Sequence, residues 1–162
     1  MSPKTKKTDG IKYNITGVCK TVKRHRVYRI EATKSFETVD GRFVEKGEPG
    51  GWIESALNLS QDGRCWIDDD AVVLGDGSVL DNALVADEVM CEGILQDNAI
   101  ARGKACIEFG AICRDNTLVC DNALIKEGAI VMDNATVAED AIVCKNAVIG
   151  DDAYYTSRFT KL

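Results

Sequence analysis

The sequence predicts an all-β chain wound as a parallel β-helix of about five coils, and two columns of residues carry that prediction. Ala99, Ala105, Ala111, Thr117, Ala123, Ala129, Ala135, Ala141, Ala147 and Ala153 recur every six residues. Two positions after each lies Ala101, Ile107, Cys113, Val119, Ile125, Val131, Val137, Val143, Ile149 or Tyr155. A period of six with one small and one aliphatic residue matches neither the 3.6-residue period of a helix nor simple strand alternation. A short strand and a sharp corner, repeated three times per coil, satisfy it. The residue before each small position is Asn, Gly or Asp in all cases but Lys104, and these residues tolerate the positive φ of a tight turn, so they are expected to form the corners. Aromatic residues make up only 6% of the 162, too few for a conventional globular core and ample for a narrow shaft of Ala, Val and Ile.

Four segments follow in order. Residues 1–10 are Lys-rich and read as a disordered basic tail. Residues 11–64 read as a small N-terminal β cap and entry segment: Val27, Tyr28 and Ile30, then Phe36, then Asp40-Gly41 before Phe43-Val44, a hairpin signal. Such a cap protects a first coil whose open edge would otherwise recruit other chains. Residues 65–155 form the helix, starting with the pairs Cys65/Ile67, Ala71/Val73, Gly77/Val79 and Ala83/Val85. The register slips between Val85 and Gly93, which reads as a four-residue insertion or a shortened side around Asp87 to Glu92. Either a tolerated bulge or a binding loop accounts for it. Residues 156–162 form a C-terminal tail.

The repeat resembles the hexapeptide-repeat proteins, which implies left-handed coiling. Gly50-Gly51-Trp52-Ile53-Glu54-Ser55 and Asn58-Leu59-Ser60-Gln61 are similar to the entry segment of the YdcK-like proteins, an uncharacterised group of phage and bacterial repeat proteins. That resemblance covers about Phe36 to Tyr155 and implies a fold and a phage setting, with no agreed activity. Many hexapeptide-repeat proteins are acyl-CoA-dependent transferases that use a His general base. Here the single His, His25, lies outside the repeats between Arg24 and Arg26 and reads as a solvated strand residue. A non-enzymatic protein is therefore expected, without cofactor or metal. An acyl- or nucleotidyl-transferase with its site between subunits and a self-assembling scaffold are the alternatives.

Seven cysteines contain no C-x-x-C pair, and Cys91 and Cys113 fall in the aliphatic column as small hydrophobes. With no signal peptide and no apolar run of membrane length, a cytoplasmic protein with reduced thiols is expected. Charge is segregated. Residues 1–64 carry 13 Lys or Arg against 8 Asp or Glu, whereas residues 65–153 carry 5 against 18. The acidic body disfavours direct nucleic-acid binding.

Two surfaces are candidates for partners. Residues between the two inward columns point outward, and most are apolar. Ile112, Leu118, Leu124, Ile130, Met132, Ile142, Val148 and Tyr154 form a candidate oligomer interface for a dimer or trimer. Stepping by eighteen along one edge meets Asp97, Asp115, Asp133 and Asp151, with Asp152 ending the adjacent column. These carboxylates either satisfy turn amides or form an acidic strip. The expected function is a phage-type interaction protein that oligomerises through its apolar faces. Its acidic edge or basic cap would engage a host protein and inhibit a nucleic-acid-handling or defence complex.

Overall fold

A computed structural model describes residues 11–156; the expected tail at 1–10 and most of that at 156–162 lie outside them. Strands β1 (Tyr13–Val22) and β2 (His25–Ala32) form an antiparallel hairpin, and β3 (Phe36–Glu37) and β4 (Phe43–Val44) form a second one turning at Asp40-Gly41. Strand β5 (Pro49–Ile53) and a short 3-10 turn at Ala56–Asn58 lead into the hexads. Sixteen two-residue strands follow: β6 (Trp66–Ile67), β7 (Val72–Val73), β8 (Ser78–Val79), β9 (Leu84–Val85), β10 (Met90–Cys91), β11 (Ile94–Leu95), β12 (Ile100–Ala101), β13 (Cys106–Ile107), β14 (Ile112–Cys113), β15 (Leu118–Val119), β16 (Leu124–Ile125), β17 (Ile130–Val131), β18 (Thr136–Val137), β19 (Ile142–Val143), β20 (Val148–Ile149) and β21 (Tyr154–Tyr155).

These strands stack in parallel into three sheets. Face 1 contains β5, β7, β10, β13, β16 and β19; face 2 contains β8, β11, β14, β17 and β20; face 3 contains β6, β9, β12, β15, β18 and β21. Leu59 bridges to Val79 and supplies the first layer of face 2. The solenoid therefore has about six turns, one more than the hexad count suggests. The extra turn is the entry segment, because β5 pairs in parallel with β7 although it lacks the hexad pattern.

Inside the shaft the two columns are buried, with Ala99, Ala111, Ala123, Val119, Ile125 and Val131 all 0% exposed. Alanine at the corners lets neighbouring faces meet closely, and the aliphatic residue fills the space between them. Removing one such side chain costs about 2–4 kcal/mol through lost transfer energy and a cavity that cannot collapse.

The corners differ from the expectation. On the corner from face 1 to face 2, the residue before the small position is left-handed, as at Gly110, Gly128 and Asn146. On the other two corners the left-handed residue comes one position earlier: Asp97, Asp115, Asp133 and Asp151 on one, Gly103, Asp121 and Glu139 on the other. This explains Lys104, since Gly103 has already made the turn.

The register slip is a shortened side, one of the two readings the sequence allowed, and it lies at the end of the expected stretch. Asp87 to Cys91 is a regular unit: β10 pairs with β7 eighteen residues earlier, whereas β11 pairs with β8 only sixteen residues earlier. Two residues are missing at the corner Glu92-Gly93, so there is neither an insertion nor a projecting loop. Gly93 is required there, because a Cβ would lie 2.5 Å from the Ala111 carbonyl oxygen and 2.8 Å from Ile107 Cγ2.

The first coil is closed by β2, which pairs antiparallel with the free edge of β5, and β1 is the outermost strand of the sheet. Lys12 plugs the mouth of the shaft: its buried ammonium donates to the Cys65 carbonyl at 2.7 Å and lies 3.1 Å from Cys65 Sγ, with the Asp62 and Gly63 carbonyls at 3.3 and 3.4 Å. Burial lowers its pKa from the ordinary lysine value. Tyr13 beside it donates to the Leu59 carbonyl at 2.6 Å.

Candidate interaction face

The outer surface follows from where the two hairpins lie. The β1–β2 hairpin runs across face 1, where Val27 joins Trp52, Val72 and Leu74 in a small buried cluster flanked by Val22 and Met90. Lys20 and Arg29 stack on Trp52 at 4.2 and 5.0 Å from the ring centroid. Three pairs fasten the hairpin: His25 Nδ1 to Glu54 Oε1 at 3.1 Å, Arg29 to Asp70 at 3.4 Å and Lys23 to Glu92 at 3.5 Å. His25 is thus half-buried and engaged, in contrast to the solvated residue expected from its basic neighbours. The N–H of Gly75, followed by His25, holds the Glu54 carboxyl below its usual range.

The β3–β4 hairpin covers the upper part of face 3. Phe36 meets Trp66 edge-on with ring centroids 5.2 Å apart, Arg42 pairs with Asp68 at 2.9 Å and with Glu48, and Asp40 reaches Arg102 at 3.0 Å.

Among the described residues no hairpin covers face 2. Its outward ladder runs through Ser78, Ile94, Ile112, Ile130 and Val148, one residue per coil, and Leu57 of the 3-10 turn lies beside its upper end, its carbonyl accepting the Ser78 hydroxyl at 3.3 Å. Leu57 is 84% exposed, Val148 is 57% exposed, and the residues between are half-buried by their own stacking. The parallel column holds Leu80, Gln96, Arg114, Met132 and Gly150, all half-buried. Arg114 is the single charge in the two columns; its guanidinium sits 3.2 Å from Met132 Sδ and 3.9 Å from Asp115.

The predicted interface residues therefore divide among three faces. Ile112, Ile130, Met132 and Val148 share face 2, Leu124 and Ile142 lie on face 1, and Leu118 and Tyr154 lie on face 3. They do not form one patch. All three outward ladders run the length of the shaft, and only that of face 2 is left uncovered by both hairpins. Ile94 belongs to it and was missed because it follows the shortened corner, and Leu57, beside its upper end, lies before the hexads.

The acidic edge has a structural task. Each carboxylate of Asp81, Asp97, Asp115 and Asp133 accepts the backbone N–H of the Asp one coil below, at 3.1, 3.1, 3.0 and 2.8 Å. Beside it, Asn82, Asn98, Asn116 and Asn134 form an amide ladder at 3.1–3.2 Å that ends on Asp152 at 3.0 Å. A left-handed corner exposes an amide to the next coil, and Asp supplies both the tolerated conformation and the acceptor. Mutual repulsion along the ladder, roughly 1 kcal/mol per neighbour in water, is offset by these charge-assisted bonds.

An open groove of about 370 Å³ lies below the β1–β2 tip, lined by Lys23, Glu92, Cys106, Glu108, Phe109 and Glu127. Burial raises the Cys106 thiol, which works against a thiolate nucleophile there. Among the described residues no group of three or more His, Cys, Asp or Glu is arranged to hold a metal ion, and no helix is long and apolar enough to cross a membrane. The thiols at positions 19, 65, 91, 106, 113, 120 and 144 are all free. No family model and no curated protein matches this chain.

Proposed function

We propose that this chain is a non-catalytic interaction protein, a rigid left-handed β-helix that self-associates through face 2. The observation that carries the reading is the ladder Ser78, Ile94, Ile112, Ile130 and Val148, with the exposed Leu57 above it, on the one face that neither hairpin covers. The occupant that fits it is a second copy of the same flat ladder. The repeat body is strongly acidic, so two copies repel least across a surface whose one charge is Arg114. Stacked sheets sit about 10 Å apart and interdigitate aliphatic side chains of this kind.

Six layers at about 4.8 Å extend roughly 24 Å, and a face about 15 Å wide gives an area of about 360 Å² per copy. A standard interface buries about 800 Å² per partner, so the association is expected to be reversible and in the micromolar range. Inhibition of a host nucleic-acid-handling complex by an acidic surface draws no support from the Asp ladder, whose carboxylates already serve the corners.

Sedimentation velocity over a concentration series tests the proposal. The wild-type protein should shift from monomer to oligomer in the micromolar range, and the Ile112→Lys/Ile130→Lys variant should remain monomeric. A Leu124→Lys variant, changed on face 1, should associate like the wild type. A wild-type protein that stays monomeric throughout, or equal association by the face 2 variant, would overturn the reading.

A further inference from the structure

We infer that Met132 is an oxidation site whose sulfoxide releases face 2 from a second copy, an inference that rests on the self-association read above and names its regulation. Met132 shares the outward column of face 2 with Arg114 one coil above and Gly150 one coil below. Both neighbours place its thioether. Arg114 brings Nη2 to 3.2 Å from Met132 Sδ. Gly150 leaves room for the side chain to lie over it, since a Cβ there would stand 3.2 Å from Met132 Cε and 3.3 Å from Cγ. Met132 is half-buried and lies within the area that a second copy covers. Met90, the other methionine among the described residues, packs on face 1 against the Val27 and Trp52 cluster.

The oxidant is a peroxide. A lone pair of Met132 Sδ attacks one oxygen of hydrogen peroxide, the O–O bond breaks and an S–O bond forms. The proton of the transferred oxygen passes to the departing hydroxide, which leaves as water; sulfur is oxidised by two electrons and the peroxide reduced by two. The new sulfoxide oxygen is a strong acceptor, and the Arg114 guanidinium already beside Sδ carries the N–H groups that donate to it. Arg114 is free to turn toward it, because its carboxylate neighbour Asp115 is 3.9 Å away.

Oxidation thus replaces a pliable apolar contact by a polar one. On the free chain the sulfoxide oxygen shares Arg114 and water. Against the aliphatic ladder of a second copy it gives up the water, and Ile94, Ile112, Ile130 and Val148 offer no donor in exchange. Association in turn covers Met132, so the oxidant acts on free copies and keeps them free.

Hydrogen peroxide treatment of the full chain, with peptide mass spectrometry and sedimentation velocity on the same samples, tests this. The Met132 peptide should gain one oxygen, about 16 Da, and the oxidised chain should need at least about ten-fold more protein to associate. Reduction by methionine sulfoxide reductases should restore association. The Met132→Leu variant conserves volume and keeps all seven thiols, so it should associate like the untreated wild type both before and after peroxide. Unchanged association of a chain oxidised at Met132, an equal loss in the treated Leu variant, or Met132 left unmodified where Met90 has reacted would overturn the inference. An untreated wild type that associates, with an oxidised form that does so equally, refutes this inference alone. An untreated wild type that stays monomeric refutes the self-association reading and this inference with it.

Discussion

The thiols inside the shaft make its alkaline stability predictable. Cys91 and Cys113 point into the core at 0% exposure. Burial pushes the Cys91 thiol from 9.0 up to about 12 and raises that of Cys113 as well. The folded state therefore retains protons that the unfolded chain releases. Stability is intact below the unfolded pKa and is lost as pH rises through the window from about 9 to about 12. At about pH 10 each unfolded thiol gains roughly 1.4 kcal/mol by ionising, so the pair costs about 3 kcal/mol relative to neutral pH. Tyr13, raised by burial to about 12, adds a loss of the same sign, while Lys12, whose pKa is lowered, gains stability with rising pH. Comparison with a Cys91→Val/Cys113→Val variant removes those shared contributions. In urea unfolding followed by circular dichroism, the wild type should lose about 3 kcal/mol more than the variant between pH 7 and about pH 10. Equal losses, within about 0.5 kcal/mol, would show that these thiols are not sealed in the shaft.

Other perturbations test separate parts of the structure. Gly93→Ala forces a Cβ to within 2.5 Å of the Ala111 carbonyl oxygen and should destabilise by about 3 kcal/mol, read as a drop in the urea midpoint. Lys12→Met leaves the carbonyls of Asp62, Gly63 and Cys65 without their donor and should cost about 2 kcal/mol, partly offset by relief of a buried charge. Thr117→Ala should stabilise by about 1 kcal/mol in the same assay, because the Thr117 hydroxyl is buried in the alanine column without a hydrogen-bond partner. Asp115→Ala removes both a left-handed-tolerant residue and the acceptor of the Asp133 N–H, and should cost about 1–2 kcal/mol, whereas Asp115→Asn, which keeps an acceptor oxygen, should cost less than half of that.

The shaft was legible because its constraint is local and periodic: one small and one aliphatic residue per six report the same corner and the same core ten times. The Asp column was legible as a ladder for the same reason, but its bonding was not. The acceptor role of Asp97 toward Asp115 depends on where the left-handed residue falls, and the sequence permits Asn98 as readily as Asp97. Non-repeating contacts were hidden. Nothing near Lys12 announces that it will meet Cys65, fifty-three residues on, and β5 joins the solenoid through backbone pairing without the hexad pattern. The apolar outward residues were visible as a list, and a step of eighteen already separates Ile112, Ile130 and Val148 from Leu124 and Ile142 and from Leu118 and Tyr154; what the repeat does not carry is which of the three faces stays uncovered. Which faces remain bare depends on the paths of two hairpins, and those paths are set by single contacts such as Phe36 on Trp66 and Asp40 with Arg102.

Hydroxyl-radical footprinting across a dilution series tests the central claim most directly, because it reads which face is covered without altering the chain. Met132 lies in the fifth layer of face 2 and Phe109, 54% exposed, lies at the corner between faces 1 and 2. Protection of Met132 and Ile130 should grow several-fold from low to high micromolar protein while Phe109 stays equally reactive. Protection that grows at Leu124 and Ile142, or at Leu118 and Tyr154, with Met132 unchanged, would place the contact on another face and contradict the account.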